Sequence, residues 1–74
     1  MTLDNKIKTL HKTFELRSEI ADLHWHWDTL IKLEQSFVDE EEYEKAQTAL
    51  TQRATIRRKI SKLEKQLKKY EDTL

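Results

Sequence analysis

Glycine, proline and cysteine are all absent from this chain. Without glycine and proline, the tight turns and close backbone approaches of sheet-rich folds lack their usual residues. Without cysteine there is no disulfide, no thiolate metal site and no cysteine nucleophile. No apolar run approaches the roughly 18 residues that a membrane span needs. The stretch from Met1 to Phe14 carries charges throughout, so it does not read as a signal peptide. A cytoplasmic setting is the expectation.

What is present is charge and helical periodicity. Charged residues make up 38% of the 74 residues and hydrophobic residues 36%, a balance typical of long helices. One helical domain, 1–74, with a thin core is expected, and a chain of this size needs association or very regular packing for support. The net charge of zero hides a split. Residues 1–50 carry 6 basic and 11 acidic groups, and residues 51–74 carry 8 basic and 3 acidic groups. The two parts therefore stand at −5 and +5.

Along the first half, Leu3, Ile7, Leu10 and Phe14 repeat at helical spacing. After Phe14 the phase changes, and the series becomes Leu16, Ile20, Leu23, Trp27, Leu30 and Phe37. No breaker residue separates the two series, so one continuous helix with two apolar faces is favoured. The alternative breaks it near residues 13–16 and compacts the chain into a small three- or four-helix bundle. Thr2 or Asp4 can cap this helix.

The acidic stretch Val38–Glu44 reads as the start of a second helix. Asp39 is the expected N-cap, Glu42 closes a capping box, and Val38 and Tyr43 form a hydrophobic staple. The turn is expected at about Gln35–Asp39. With no glycine for the left-handed position after the helix, the first helix is expected to end less cleanly than the second begins.

The second helix is expected from about Glu40 to Glu71, with the stripe Tyr43, Ala46, Ala49, Arg53, Ile56, Ile60, Leu63, Leu67, Tyr70 and Leu74. Glu41–Lys45 and Glu64–Lys68 are spaced as favourable ion pairs. The fold class is therefore all-α, an antiparallel hairpin of two long helices. Folding about residue 38 places Trp27 opposite Arg53, Leu23 opposite Ile56 and Leu16 opposite Leu63.

Candidate functional residues fall into two groups. Leu3, Ile7, Leu10, Phe14 and Trp25 form a second apolar face that one hairpin cannot cover, which suits a protein partner or self-association. Arg57, Arg58, Lys62, Lys65, Lys68 and Lys69 form a basic ridge opposite the apolar stripe, which suits a phosphate backbone or simply a solvated face. His24 and Asp28 lie one turn apart, but no third metal ligand is spaced to match. Arg53 interrupts the stripe. It can pair with Glu34 or Asp28, or lay its stem along Trp27. No phosphate loop, metal cluster or nucleophile–base pair is recognisable, so no enzyme, cofactor, metal or small-molecule substrate is expected.

Leu33-Glu34-Gln35 followed by Glu42-Tyr43-Glu44-Lys45-Ala46 is similar to the UVR motif, the helical hairpin shared by the excision-repair proteins UvrB and UvrC. The likeness covers about a third of the chain. The interval from Leu33 to Tyr43 is shorter than in that family, and Leu50 and Thr51 stand where the family carries an Arg-Asp pair. The resemblance implies protein–protein docking in DNA repair. In size and general character the chain also resembles small accessory proteins of T-even-like bacteriophages, such as the one encoded beside the recombination helicase UvsW. That resemblance implies a helical bundle acting with DNA recombination machinery.

Overall fold

A computed structural model describes residues 2–74. It holds two α-helices, α1 over Leu3–Asp39 and α2 over Tyr43–Asp72, folded against each other as a hairpin. Helix α1 is continuous through residues 13–16, so the break and the small bundle do not occur. Thr2 is its N-cap, its Oγ1 accepting from the Asn5 N–H at 3.3 Å, with Asp4 in the first turn.

The seam follows a strict rhythm. On α1 the buried or half-buried positions include 9, 13, 16, 20, 23, 27, 30, 34 and 37. On α2 they include 46, 49, 53, 56, 60, 63, 67 and 70. Both series alternate steps of four and three, the pattern that keeps one stripe facing a partner helix along its length. The expected apolar stripes are thus the seam, with Tyr43 and Leu74 exposed at its two ends.

The N-terminal continuation of the α1 seam is polar. The 16-to-37 series sets the phase, and an unbroken helix carries it back to Thr13 and Thr9. Leu10 and Phe14 lie one residue on, rotated about 100° out of the seam. Thr13 is only 1% exposed, and its hydroxyl donates to the Leu10 carbonyl at 2.7 Å, so its burial leaves no polar group unsatisfied.

The turn departs from expectation. Asp39 is still helical and is not an N-cap; its Oδ1 accepts from Gln35 Nε2 at 3.1 Å. Glu40 is the C-cap and Glu41 takes a left-handed conformation at φ 61°. The Glu41 N–H donates to Val38 O at 3.1 Å and the Glu42 N–H to Phe37 O at 2.8 Å. Those two bonds are the Schellman pattern, which ends α1 cleanly with glutamate where glycine is usual. Glu42 is the N-cap of α2 but makes no side-chain cap bond, so the capping box is not formed. Its carboxylate instead accepts from Lys45 Nζ at 3.1 Å, which replaces the expected Glu41–Lys45 pair. The expected Glu64–Lys68 pair is likewise displaced, with Glu64 Oε1 lying 3.8 Å from His24 Nε2 on α1.

Moving the turn from residue 38 to about Glu41 also moves the register. His24 would have faced residues 53–56 and lies against Glu64, and Arg17 reaches Glu71 at 3.6 Å. These two partners lie eight to eleven residues further along α2 than the residues expected opposite them, a distance that the long side chains span obliquely. Trp27 keeps Arg53 as a neighbour and also gains Arg57, the guanidinium carbons lying 5.8 and 5.7 Å from its ring centre.

The hairpin is a rod of 58 × 14 × 12 Å with a radius of gyration of 17.0 Å. A compact chain of this length would have a radius near 11 Å. Its accessible surface is 5970 Å², against roughly 4,900 Å² for a compact monomer of its mass. At about 1.5 Å per residue, α1 is some 10 Å longer than α2. Both helices leave the same turn, so the first two turns of α1 project beyond the end of α2.

Glu41 in the left-handed region carries a backbone cost of about 1 kcal/mol or more. Glu41→Gly removes it and is expected to raise unfolding stability by about 0.5–1 kcal/mol in urea denaturation. A loss of stability would show that the turn does not use this conformation.

Candidate interaction surfaces

The five residues of the second apolar face all lie open. Leu3 is 72% exposed, Ile7 44%, Leu10 43%, and Phe14 and Trp25 64% each. Helical geometry carries them off the seam, from its flank at Leu10, about 100° from Thr9, round to the back of α1 at Trp25. Leu3 and Ile7 sit on the projecting end, where α2 has stopped. Trp25 follows Phe14 by eleven residues, close to three whole turns, so it falls on the same strip. Its indole meets the His26 ring edge-on, with centroids 5.2 Å apart.

The basic ridge is less uniform than its sequence suggests. All six cations are exposed. Arg58, Lys62, Lys65 and Lys69 share the outer face of α2, with Lys68 beside them. Arg57 does not belong there, because it folds over Trp27 at the edge of the seam. Among the described residues, no ion pair within 4 Å engages Arg58, Lys62, Lys65, Lys68 or Lys69.

Arg53 makes both contacts open to it. Its Nη2 lies 3.1 Å from Glu34 Oε2, and its guanidinium stands over Trp27. Both partners of the pair are about a quarter exposed, 25% and 26%. The pair therefore sits at the seam edge, where partial hydration lowers the desolvation penalty. Lys45 similarly caps the Phe37 ring at 5.9 Å near the turn.

His24 and Asp28 do not build a metal site. His24 turns to Glu64, and among the described residues no three metal-ligating side chains come together. Among them too, no helix is long and apolar enough to cross a membrane.

Apolar spacing does not reveal the flanks of the seam. An open groove of about 510 Å³ runs along the hairpin flank opposite Arg57, between His26, Thr29 and Leu33 on α1 and Gln52, Thr55 and Ile56 on α2. Its floor is the seam itself, and its walls are small or polar residues just outside it. The threonines in the flanking positions were the available signal, since they leave space where longer side chains would close the flank.

Compared with protein-family models, curated proteins and solved structures, the chain has no match in any of the three.

If Phe14 is surface and Leu16 is seam, truncation separates them. Leu16, 2% exposed, should cost about 2–5 kcal/mol as Leu16→Ala. Phe14→Ala should stay within about 0.5 kcal/mol in dilute solution. Chemical denaturation of the two variants checks this, and a reversed ranking would mean the phase of α1 is misplaced.

Proposed function

We propose that this chain is a non-enzymatic docking module that engages a protein surface through Leu3, Ile7, Leu10, Phe14 and Trp25. The observation that carries this reading is the exposure of these large apolar side chains, from 43% to 72%, in one strip on the outer side of α1. Scattered exposed hydrophobics are ordinary, but Leu3, Ile7, Leu10 and Phe14 in succession, with Trp25 further along the same strip, form an apolar patch suited to an interface. The likeness of the hairpin turn to the UVR motif supports docking among DNA repair proteins, and the resemblance to small T-even-like phage accessory proteins supports docking among recombination proteins, as an accessory or adaptor.

A photo-crosslinking residue at position 14 tests it in the source cell. Discrete adducts at position 14 and none at Gln47, on the outer face of α2, are expected. Equal labelling at both positions, or none at either, would remove the strip as an interface.

A second reading rests on a separate observation: among the described residues, the outer cations of α2 have no acidic partner within 4 Å. The chain then binds nucleic acid along Arg58, Lys62, Lys65 and Lys69, with Lys68 at the side and Arg57 contributing only if it leaves Trp27. Four phosphate contacts would lower affinity roughly a hundredfold between 50 and 200 mM salt. Titration of a short DNA at both salts measures this. Binding unchanged by charge reversal at Arg58, Lys62, Lys65 and Lys69 would leave the ridge a solvated face.

A further inference from the structure

The strip on α1 has an internal symmetry that names its occupant. Between Phe14 and Trp25 the same face presents two small exposed residues, Ser18 and Ala21. The strip is then Leu3, Ile7, Leu10, Phe14, Ser18, Ala21 and Trp25, with steps of four, three, four, four, three and four. Those steps read the same in both directions about Phe14. Two eleven-residue repeats also keep the strip nearly straight along the helix, where a heptad stripe would wind.

We infer that the strip pairs with the same strip of a second copy of this chain, antiparallel, about a two-fold axis through Phe14. This rests on the docking reading above and assigns its partner. In that arrangement Leu3 meets Trp25 of the other copy, Ile7 meets Ala21, Leu10 meets Ser18, and the two Phe14 rings meet on the axis. Large residues of one half fall opposite small ones of the other at two of the three off-axis levels. An isologous contact requires such self-complementarity.

Charge fixes the direction. The half from Leu3 to Phe14 carries Lys6, Lys8 and Lys12 against Asp4, a balance of +2. The half from Glu15 to Trp25 carries three acids against Arg17, a balance of −2. Antiparallel pairing sets each positive half against a negative one, whereas parallel pairing sets like against like. Area is consistent as well. The hairpin exposes roughly 1,000 Å² more than a compact monomer of its mass. A specific interface buries about 1,200 Å² or somewhat more in total, so the pairing is small and its dissociation constant should be on the order of micromolar. Because Phe14, on the axis, lies well off the seam with α2, the two α1 helices lie inside the assembly and the two α2 helices outside.

Sedimentation equilibrium over a range of concentrations should show a monomer–dimer equilibrium. Phe14→Glu should weaken it by about a hundredfold or more while leaving helicity unchanged. The chain has no cysteine, so single nitroxide labels can be placed at Asp22→Cys or Lys32→Cys. Antiparallel pairing about Phe14 predicts backbone separations of about 25 Å and about 55 Å between the copies. Equal, short separations at both sites would mean parallel pairing and overturn the assignment. A strict monomer at all concentrations would also overturn it. In that case an adduct of position 14 with a different protein in cells preserves the docking reading, and no adduct removes both.

Discussion

One contact holds this molecule together: the zipper of two stripes, each stepping by four and three, along the length of a hairpin. Among the described residues there is no second layer and no third helix. Among the described residues the buried set is Leu16, Ala46, Ala49, Ile60 and Thr13, and the rest of the seam between them and its ends is partly exposed. Small alanines toward the turn accept Leu30, Leu33 and Phe37, which share a recess with Ala49. Larger aliphatics, Ile60, Leu63 and Leu67, continue the seam toward the free ends. Because both stripes keep the same rhythm, neither helix needs to bend to stay in contact.

Everything at the margin of that zipper is polar and works by proximity. Arg53 bridges to Glu34 while covering Trp27, and Arg57 covers the same ring. Arg17 and His24 reach across to Glu71 and Glu64 along one flank. These cross-helix pairs are at least about a quarter exposed, so each contributes little to stability. Their greater effect is on alignment, since a slip of one turn would separate them all and leave Trp27 without its cationic neighbours.

The stripes from Leu16 to Phe37 and from Ala46 to Tyr70 were legible in the sequence because apolar spacing reports helix phase directly. Continuity of α1 was legible because nothing in it breaks a helix. The openness of Leu3, Ile7, Leu10, Phe14 and Trp25 followed from the same arithmetic, since two phases on one straight helix cannot both face one partner. Less legible was the seam through Thr9 and Thr13, whose hydroxyls hide their place in it. The turn is less legible still, because acidic residues near a helix start look like caps. Here Asp39 finishes α1, and Glu41 takes the conformation usually left to glycine.

The amino-acid order by itself therefore determined two helices, their antiparallel sense and which faces are apolar, all consequences of local periodicity and of the absence of breakers. It also contains the palindromic spacing about Phe14, which needs no coordinates to be seen. Only the folded hairpin decided where the chain reverses, which residues meet across the seam, and that α1 outruns α2 at its free end. Those depend on a three-residue shift of the turn. Helical periodicity fixes angles around each axis, but not how far one helix slides along the other.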